Sequence, residues 1–236
     1  MHTILEELKK LGSPTQREVL MRFFKTGPGQ YGAGDRFLGV KVPQTRAVVK
    51  VQWATCSDAE RAALISSPYH EARLAGLLVL ICQYKAARRD EAARARLVDV
   101  YLNSTDFINN WDLVDLTCYE LLGDWLLTRD RRLLFQMAST GKTLWIQRIA
   151  IVTTLQFIRH GEFETTLALA DILLPHPHDL IHKAVGWMLR EVGKRDQTVL
   201  ETFLGPRYQQ MPRTMLRYAI EKFPSALRLQ YLHGQI

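Results

Sequence analysis

The sequence predicts an all-α fold, in which pairs of helices stack side by side as an α-solenoid. Hydrophobic residues recur with the period of a helix along almost the whole chain, and strand signals are nearly absent. Similar helix starts also return at steps of 38, 37 and 35 residues. Because the 236 residues are 47% hydrophobic and 23% charged, as in ordinary globular proteins, we expect one domain over residues 1–236.

Start signals and periodicity place the individual helices. Ser57 and Glu60 have the spacing of a capping box, and Pro43 suits the first turn of a helix that runs to about Trp53. The short connectors at 128–130 and 160–162 indicate antiparallel neighbours. Hydrophobic periodicity predicts the other helices near residues 3–11, 15–26, 69–86, 90–102, 111–127, 130–138, 143–160, 162–173, 179–194, 197–203, 212–222 and 224–232.

The segment at residues 27–35 is rich in glycine and interrupts the helical pattern. It holds four glycines in nine residues. It lacks both the Gly-Lys-Ser/Thr ending and the preceding strand of a phosphate-binding loop, so we reject that interpretation. We expect a flexible connection near a binding surface.

The repeated helix starts predict a groove. Four helices begin with a polar residue or tryptophan followed by a buried run, at Arg73, Trp111, Arg148 and Lys183. The spacing is typical of HEAT-like repeats, with one helix pair in each unit. Equivalent positions in a solenoid fall on one face, so we expect these four residues to line the concave side of a curved array.

The charge of the chain is unevenly distributed. The net charge is +7, and residues 183–236 carry nine Lys and Arg against four Asp and Glu, or +5. A basic surface attracts polyanions, most commonly nucleic acids. A bias that only keeps the surface soluble explains the composition equally well, so both interpretations stay open at this point.

Several classes of protein are excluded by what the sequence lacks. Cys56, Cys82 and Cys118 lie far apart, and we interpret them as buried, reduced thiols rather than a disulfide framework or a metal site. The longest apolar run, residues 74–82, is shorter than the roughly 18 residues that span a bilayer. The first ten residues have no apolar signal core, so we expect a cytoplasmic protein without a membrane anchor.

One face of the predicted array carries residues suited to chemistry on nucleic acid. Cations contact phosphates, indoles pack against sugars or bases, and a carboxylate stabilises positive charge that develops at a sugar carbon. Opposite unit charges about 4 Å apart interact by roughly 4 kcal/mol at an effective dielectric of 20, or about a thousandfold in rate. Residues one turn apart on this face are Trp111 with Asp115, Lys183 with Trp187, and Arg190 with Lys194.

Each of these residues also has a simpler interpretation. A tryptophan at helical spacing commonly belongs to the core, and the three cations could form an ordinary solvated face. Arg148 could pair with Asp115 or Asp112 rather than contact a ligand. The coincidence of two indoles, a carboxylate and a cation stripe on one side of the array favours function.

At these residues the chain resembles the AlkD family of DNA alkylation repair glycosylases, which are built from HEAT-like repeats. The resemblance covers nearly the whole chain. It implies a concave groove that binds duplex DNA and excises cationic N3- or N7-alkylated purines without a cofactor. The segments that carry it are 37–40 with Pro43 and Arg46, then 111–115, 122–124, 145–148 and 183–191.

The resemblance also implies roles for single residues. Asp115 would stabilise the oxocarbenium character of the sugar and position water, and Trp111 and Trp187 would pack against the lesion deoxyribose. Arg148 would contact a backbone phosphate, and we assign the same role to Lys183, Arg190 and Lys194. The family has a functional tyrosine near the N-terminus, and here Phe23 occupies the best-aligned position, next to Phe24, so the ring is retained and the hydroxyl is lost.

The sequence therefore predicts a monomeric DNA glycosylase whose partner is duplex DNA with alkylated bases. Two alternatives remain. One is a non-catalytic HEAT-repeat protein that binds branched or damaged DNA through the same cations. The other is a protein-interaction scaffold, a frequent use of α-solenoids.

Overall fold

A computed structural model describes residues 3–236 of the chain, and Met1 and His2 of the predicted domain lie outside the described residues. The regular structure is helical, with 68% of residues in helices, and within residues 3–236 the only bridge of β type joins Arg36 to Tyr69. The predicted all-α class is confirmed. No helix within residues 3–236 is long and apolar enough to cross a bilayer.

The chain divides into two compact units, an N-terminal unit that ends at Leu113 and a C-terminal unit from Val114 to Ile236. The concave groove and the single domain stay predictions. The helices of the N-terminal unit are α1 (Ile4–Leu11), α2 (Pro14–Phe23), α3 (Val42–Gln52), α4 (Asp58–Ile65), α5 (His70–Ala86) and α6 (Glu91–Asn103), followed by a 3₁₀ turn (Thr105–Phe107).

Helix α5 forms the centre of the N-terminal unit. Every residue from His70 to Ile81 is buried, and α1, α3, α4 and α6 pack around it. Helix α4 begins where the capping signal predicts, since the Ser57 hydroxyl accepts the Glu60 N–H at 3.2 Å. Only half of the predicted capping box forms there, because the Glu60 carboxylate accepts the N–H of Ile4 at the start of α1 instead.

The division between the units falls within α7 (Trp111–Asp115). In the C-terminal unit α13 is the central helix and packs against α10, α11, α12, α14 and α15. The elements after α7 are a π-helical turn (Tyr119–Gly123), α8 (Asp124–Leu126), α9 (Arg132–Thr140), α10 (Leu144–Thr153), α11 (Leu155–Arg159), α12 (Glu164–Leu173), α13 (Asp179–Arg195), α14 (Gln197–Leu204), α15 (Arg213–Ala219) and α16 (Ser225–His233).

Two helices that periodicity predicts as continuous are interrupted. The predicted helix at 111–127 stops at Asp115 and continues through the π-helical turn, and the one at 143–160 breaks between α10 and α11. At the second break the Thr154 hydroxyl and N–H both bond to the Ile151 carbonyl, at 2.7 and 3.2 Å. A threonine hydroxyl that competes for a carbonyl in this way bends a helix without changing its apolar face, so periodicity misses it.

Close packing of two helices explains one glycine of the 183–191 segment. A Cβ atom added at Gly186 on α13 would lie 2.5 Å from both the Met215 carbonyl oxygen and the Tyr218 Cβ. Helices α13 and α15 therefore approach one another more closely than any larger residue would allow. This contact fixes the part of α13 from which Trp187 projects.

Candidate functional site

In the C-terminal unit the Asp115 carboxylate is held by Arg148. The Arg148 guanidinium donates from Nε to Oδ1 at 2.9 Å and from Nη2 to Oδ2 at 2.7 Å. This fork-to-fork geometry is the strongest arrangement of a carboxylate and an arginine, and it fixes the plane of the carboxylate. The Asp115 side chain keeps 14% of its surface exposed, against 6% for Arg148.

The third donor group of Arg148 ties this pair to α13, because Nη1 donates to the Leu180 carbonyl oxygen. Each nitrogen of the guanidinium thus donates one hydrogen bond inside the protein, and little of the side chain is exposed. The expected phosphate contact of Arg148 stays a prediction, and a phosphate would have to compete with these three hydrogen bonds for a guanidinium that is only 6% exposed. The simpler interpretation, in which Arg148 pairs with Asp115, is the one that the structure bears out.

Trp187 is half-buried at the edge of a cavity of about 580 Å³ in the same unit. Three cations and one carboxylate line this cavity together with Trp187, and the Arg159 guanidinium also stacks on the Tyr119 ring, 4.7 Å from the centroid. A half-exposed indole with cations around it suits a sugar-phosphate chain. The lining consists of Leu155, Ile158, Arg159, Trp187, Glu191, Lys194 and Arg195.

The other three residues that we predict to contact phosphates are ion-paired with carboxylates of their own unit. Lys183 lies 2.7 Å from Asp179, and Lys194 lies 2.6 Å from Glu191. Arg190 contacts both Glu191 and Glu221. Lys183, Lys194 and Arg190 keep 38%, 49% and 20% of their side chains exposed. DNA would therefore compete with carboxylates for these cations.

In the N-terminal unit, Phe23 and Trp111 belong to one aromatic cluster. Phe23 is 59% exposed at the end of α2, and its ring meets the Trp111 indole edge to face at 5.7 Å. Phe24, by contrast, is buried and stacks on Trp111 at 5.3 Å and 28°. Of the two adjacent phenylalanines, Phe23 is thus the one that can reach a ligand, and Phe24 supports Trp111.

A buried ionic network beneath this cluster was missed by the sequence analysis. His70, at the start of α5, lies between two carboxylates, with Nδ1 3.2 Å from Asp35 Oδ2 and Nε2 2.8 Å from Asp112 Oδ2. Burial alone would lower the pKa of His70, but the charges and hydrogen bonds of Asp112 and Asp35 outweigh it and raise the pKa to about 9. Burial likewise opposes ionisation of Asp35, yet His70, Arg73 and Asn109 hold its pKa at about 2.

Arg73 belongs to this network and not to a groove. Its guanidinium donates to Asp35 at 2.5 Å, to the Asn109 side chain at 3.0 Å and to the Ser67 carbonyl. Its side chain is only 6% exposed. The prediction that Arg73 lines a groove is therefore wrong, because an arginine at the start of a helix can also complete a buried ion pair with a distant loop.

The glycine-rich segment is pinned at the end that leads into this network. Its backbone forms a series of hydrogen-bonded turns, among them Gly32 N–H to Lys25 O and Asp35 N–H to Gly32 O, both at 3.1 Å. Just beyond it the buried Glu71 carboxylate accepts the backbone N–H groups of residues 38–40 at 2.9 to 3.1 Å. The predicted flexible connection therefore ends at a rigid anchor on α5.

A second cationic pocket, of about 260 Å³, lies between α3 and α5. Arg46, Lys50 and Lys85 surround it together with the Trp53 indole, and no carboxylate lines it. Within residues 3–236, Arg46 and Lys50 form no ion pair. Among the cations near Trp187, Lys194 is ion-paired with Glu191, whereas Arg46 and Lys50 are available to an anionic partner.

The thiols of the three cysteines are largely withdrawn from solvent. Cys56 and Cys118 are buried and Cys82 is half-buried, so the expectation of three buried thiols is correct for two. Burial raises the pKa of each thiol, to about 11 for Cys56, which disfavours the nucleophilic thiolate. In residues 3–236 no group of three or more His, Cys, Asp or Glu side chains could hold a metal ion.

Comparison with known proteins identifies the family of the chain. The family model of a DNA alkylation repair enzyme matches residues 4–223. The chain belongs to this family. A role in DNA alkylation repair, with DNA as the substrate, follows from that membership.

Within the DNA alkylation repair family, one solved structure is similar along most of its length. It is a predicted DNA alkylation repair enzyme from Enterococcus faecalis, with a TM-score of 0.69, 16% sequence identity, and coverage of 91% of this chain and 97% of that chain. At this identity the likeness shows a shared fold. A search of curated proteins gives no significant match.

Proposed function

We propose that this chain is a DNA glycosylase, which hydrolyses the N-glycosidic bond of cationic N3- or N7-alkylated purines in duplex DNA. The observation that carries the proposal is the Asp115 carboxylate, fixed in orientation by Arg148 and still 14% exposed. Family membership supports the substrate class, since a DNA alkylation repair enzyme acts on alkylated DNA.

Hydrolysis of this bond needs few catalytic groups, because the departing base is already cationic. When the bond between C1′ and the base nitrogen breaks, the electron pair leaves with the base, which changes from a cation to a neutral molecule. The deoxyribose takes up the positive charge, and water then adds to C1′ and releases a proton. Asp115 would stabilise the charged sugar and orient this water.

The pairing with Arg148 reduces, but does not cancel, the electrostatic contribution of Asp115. With a sugar cation about 4 Å from the carboxylate and about 8 Å from the guanidinium, attraction of roughly 4 kcal/mol opposes repulsion of roughly 2 kcal/mol at an effective dielectric of 20. About 2 kcal/mol remains, or roughly 30-fold in rate. In return the carboxylate loses its freedom to rotate, which orients it before the reaction.

The proposed DNA contacts come from both units, considered separately. In the C-terminal unit Trp187 would pack against deoxyribose, and Lys183, Arg190 and Lys194 would exchange their carboxylate partners for phosphates. In the N-terminal unit Phe23 and Trp111 would contact the lesion nucleotide, and Arg46 with Lys50 would bind phosphates. Contacts of this kind fix the register of DNA and carry no sequence information.

A base-release assay tests this proposal. Duplex DNA methylated at purine N3 and N7 is incubated with wild type and with Asp115→Asn, and free base is measured by chromatography. We expect release by wild type and a loss of about 30-fold or more in the variant, which keeps the shape of the side chain and removes its charge. The absence of release by wild type, or equal release by Asp115→Asn, contradicts the catalytic role.

A non-catalytic DNA-binding role is the second candidate function. The observation that favours it is the same ion pair, because an aspartate held by a buried arginine can serve the fold alone. This role predicts binding to branched or bent duplexes without base release, and equal affinities for wild type and Asp115→Asn.

A further inference from the structure

His70 bridges two buried carboxylates, and this geometry fixes its charge. Both ring nitrogens face a carboxylate oxygen, at 3.2 Å for Asp35 and 2.8 Å for Asp112. A carboxylate only accepts hydrogen bonds, and a neutral imidazole donates from one nitrogen alone. Both contacts are therefore satisfied only when His70 is an imidazolium cation.

The bridge joins segments that are far apart in the sequence. Asp35 ends the glycine-rich segment that follows α2, and Asp112 lies in the first turn of α7, next to Trp111. The charged groups that face the bridge are balanced, since the cations of His70 and Arg73 meet the carboxylates of Asp35 and Asp112. The Asn109 and Asn110 side-chain amides donate to Asp35 and complete the site.

The same imidazole supports the aromatic cluster from below. It stacks on Phe37 with 4.6 Å between ring centroids, and it lies 4.9 Å from Phe24. Phe24 in turn stacks on Trp111, whose edge meets the exposed Phe23. A continuous set of contacts therefore leads from the buried cation to the two rings that can reach a ligand.

We propose that His70 is a positioning residue, which as a cation locks the glycine-rich segment to the first turn of α7 and so fixes Trp111 and Phe23. Loss of the charge leaves two buried carboxylates, of which Asp35 keeps the Arg73 cation and Asp112 loses the imidazolium, and their repulsion separates Asp35 from Asp112. Trp111 then loses its orientation. For its catalytic consequence this inference rests on the proposed function, whereas its structural consequence stands alone.

The test follows the indole N–H resonance of Trp111 by NMR, assigned with Trp111→Phe, in wild type, His70→Gln and Asp112→Asn. We expect the resonance to shift or broaden in both variants, because neither keeps the two charge-assisted bonds. Glu71→Gln is the matched control. Glu71 is the next residue of α5 and is buried like His70, but its carboxylate binds the backbone N–H groups of residues 38–40. We expect Glu71→Gln to leave the Trp111 resonance in place.

Kinetics supply a second readout. We expect His70→Gln to lower kcat for base release by about 10- to 100-fold, as a misplaced contact group does, with KM within about threefold of wild type. The double variant His70→Gln/Asp112→Asn should lose no more than the worse single variant, since both changes remove one interaction. Wild type without base release would refute the proposed function, and the NMR measurement would then decide the positioning role alone.

A third measurement needs no change at His70. In wild type the ring resonances of His70 and the indole resonance of Trp111 should titrate together above neutral pH. An unchanged Trp111 resonance in folded His70→Gln, or a Trp111 resonance that ignores the titration of His70, would overturn the proposal.

Discussion

Arg148 holds the Asp115 carboxylate through two parallel hydrogen bonds, at 2.9 and 2.7 Å, and its Nη1 donates a third hydrogen bond to the Leu180 carbonyl oxygen of α13. This relationship gives the arginine a role beside the phosphate contact that the resemblance implies. A guanidinium in this position orients the carboxylate and joins it to the helix that carries Trp187. Variants of Arg148 can therefore distinguish the orientation of Asp115 from the charge of its partner, and a loss of stability from a loss of activity.

Replacement of Arg148 tests the orientation of Asp115. Arg148→Lys keeps the charge but can donate only from a single point, so we expect base release to fall by about tenfold while the protein stays folded. Arg148→Ala leaves the carboxylate without this partner and should lower the free energy of unfolding by about 3–5 kcal/mol. Single-turnover kinetics and urea unfolding measure the two effects.

Arg131→Lys is the matched control for this experiment. Arg131 also pairs with a carboxylate of the C-terminal unit, Glu162 at 2.6 Å, and lies outside the candidate site. We expect a small loss of stability and unchanged base release. Equal activity of Arg148→Lys and Arg131→Lys would show that the bidentate geometry at Asp115 has no catalytic consequence.

Arg46 and Lys50, which form no ion pair within residues 3–236, should make a larger contribution to DNA binding than the ion-paired Lys183 and Arg190. We expect Arg46→Ala and Lys50→Ala each to reduce the slope of log K against log salt by about 0.9, the loss of one phosphate contact. Lys183→Ala and Arg190→Ala should reduce affinity less, because their carboxylate partners already neutralise them. All four should act alike on different DNA sequences.

Fluorescence anisotropy with labelled duplexes at several salt concentrations measures these slopes. Lys10→Ala serves as the control, since Lys10 is an exposed cation of the same unit that already pairs with Glu7 at 2.9 Å. The proposed contacts are wrong if Arg46→Ala and Lys50→Ala keep the wild-type slope, or if the losses depend on base sequence.

The helices are predictable because burial imposes a helical period, whereas the helix break at Thr154 and the long-range polar contacts leave no trace in that period. The helical period predicts a helix near residues 69–86, and His70 at the start of α5 is the available sign of a buried ionic site. Asp35, His70 and Asp112 are separated by about forty residues at each step, so no local spacing connects them. The pairing of Arg148 with Asp115 was weighed from the sequence, but only coordinates could choose between Asp115 and Asp112.

Gly186 tests the close contact between α13 and α15. An alanine Cβ there would lie 2.5 Å from the Met215 carbonyl oxygen, and backbone cannot move aside cheaply. Overpacking of about 1–3 kcal/mol should exceed the helix propensity gained, about 1 kcal/mol, so Gly186→Ala should be destabilising. The control is Gly205→Ala, where the nearest atom is 3.6 Å away and the backbone is α-helical, and we expect it to be neutral or stabilising by up to about 1 kcal/mol. Guanidinium unfolding that ranks the two variants in the reverse order would contradict this packing.

The His70 bridge also predicts how stability depends on pH. The folded-state pKa of His70 is raised to about 9 from an ordinary value of 6.5, so its contribution is complete below pH 6.5 and is lost as pH rises through 9. The Asp35 pKa is lowered to about 2 from 3.8, so its contribution is present above pH 3.8 and is lost as pH falls through 2.

We expect the difference in unfolding free energy between wild type and His70→Gln to shrink between pH 6.5 and 9, by at most about 1.4 kcal/mol for each pH unit. Urea unfolding at pH 6, 7, 8 and 9 measures it, and a difference that stays constant or grows over this range would show that His70 is not held as a cation by its two carboxylates.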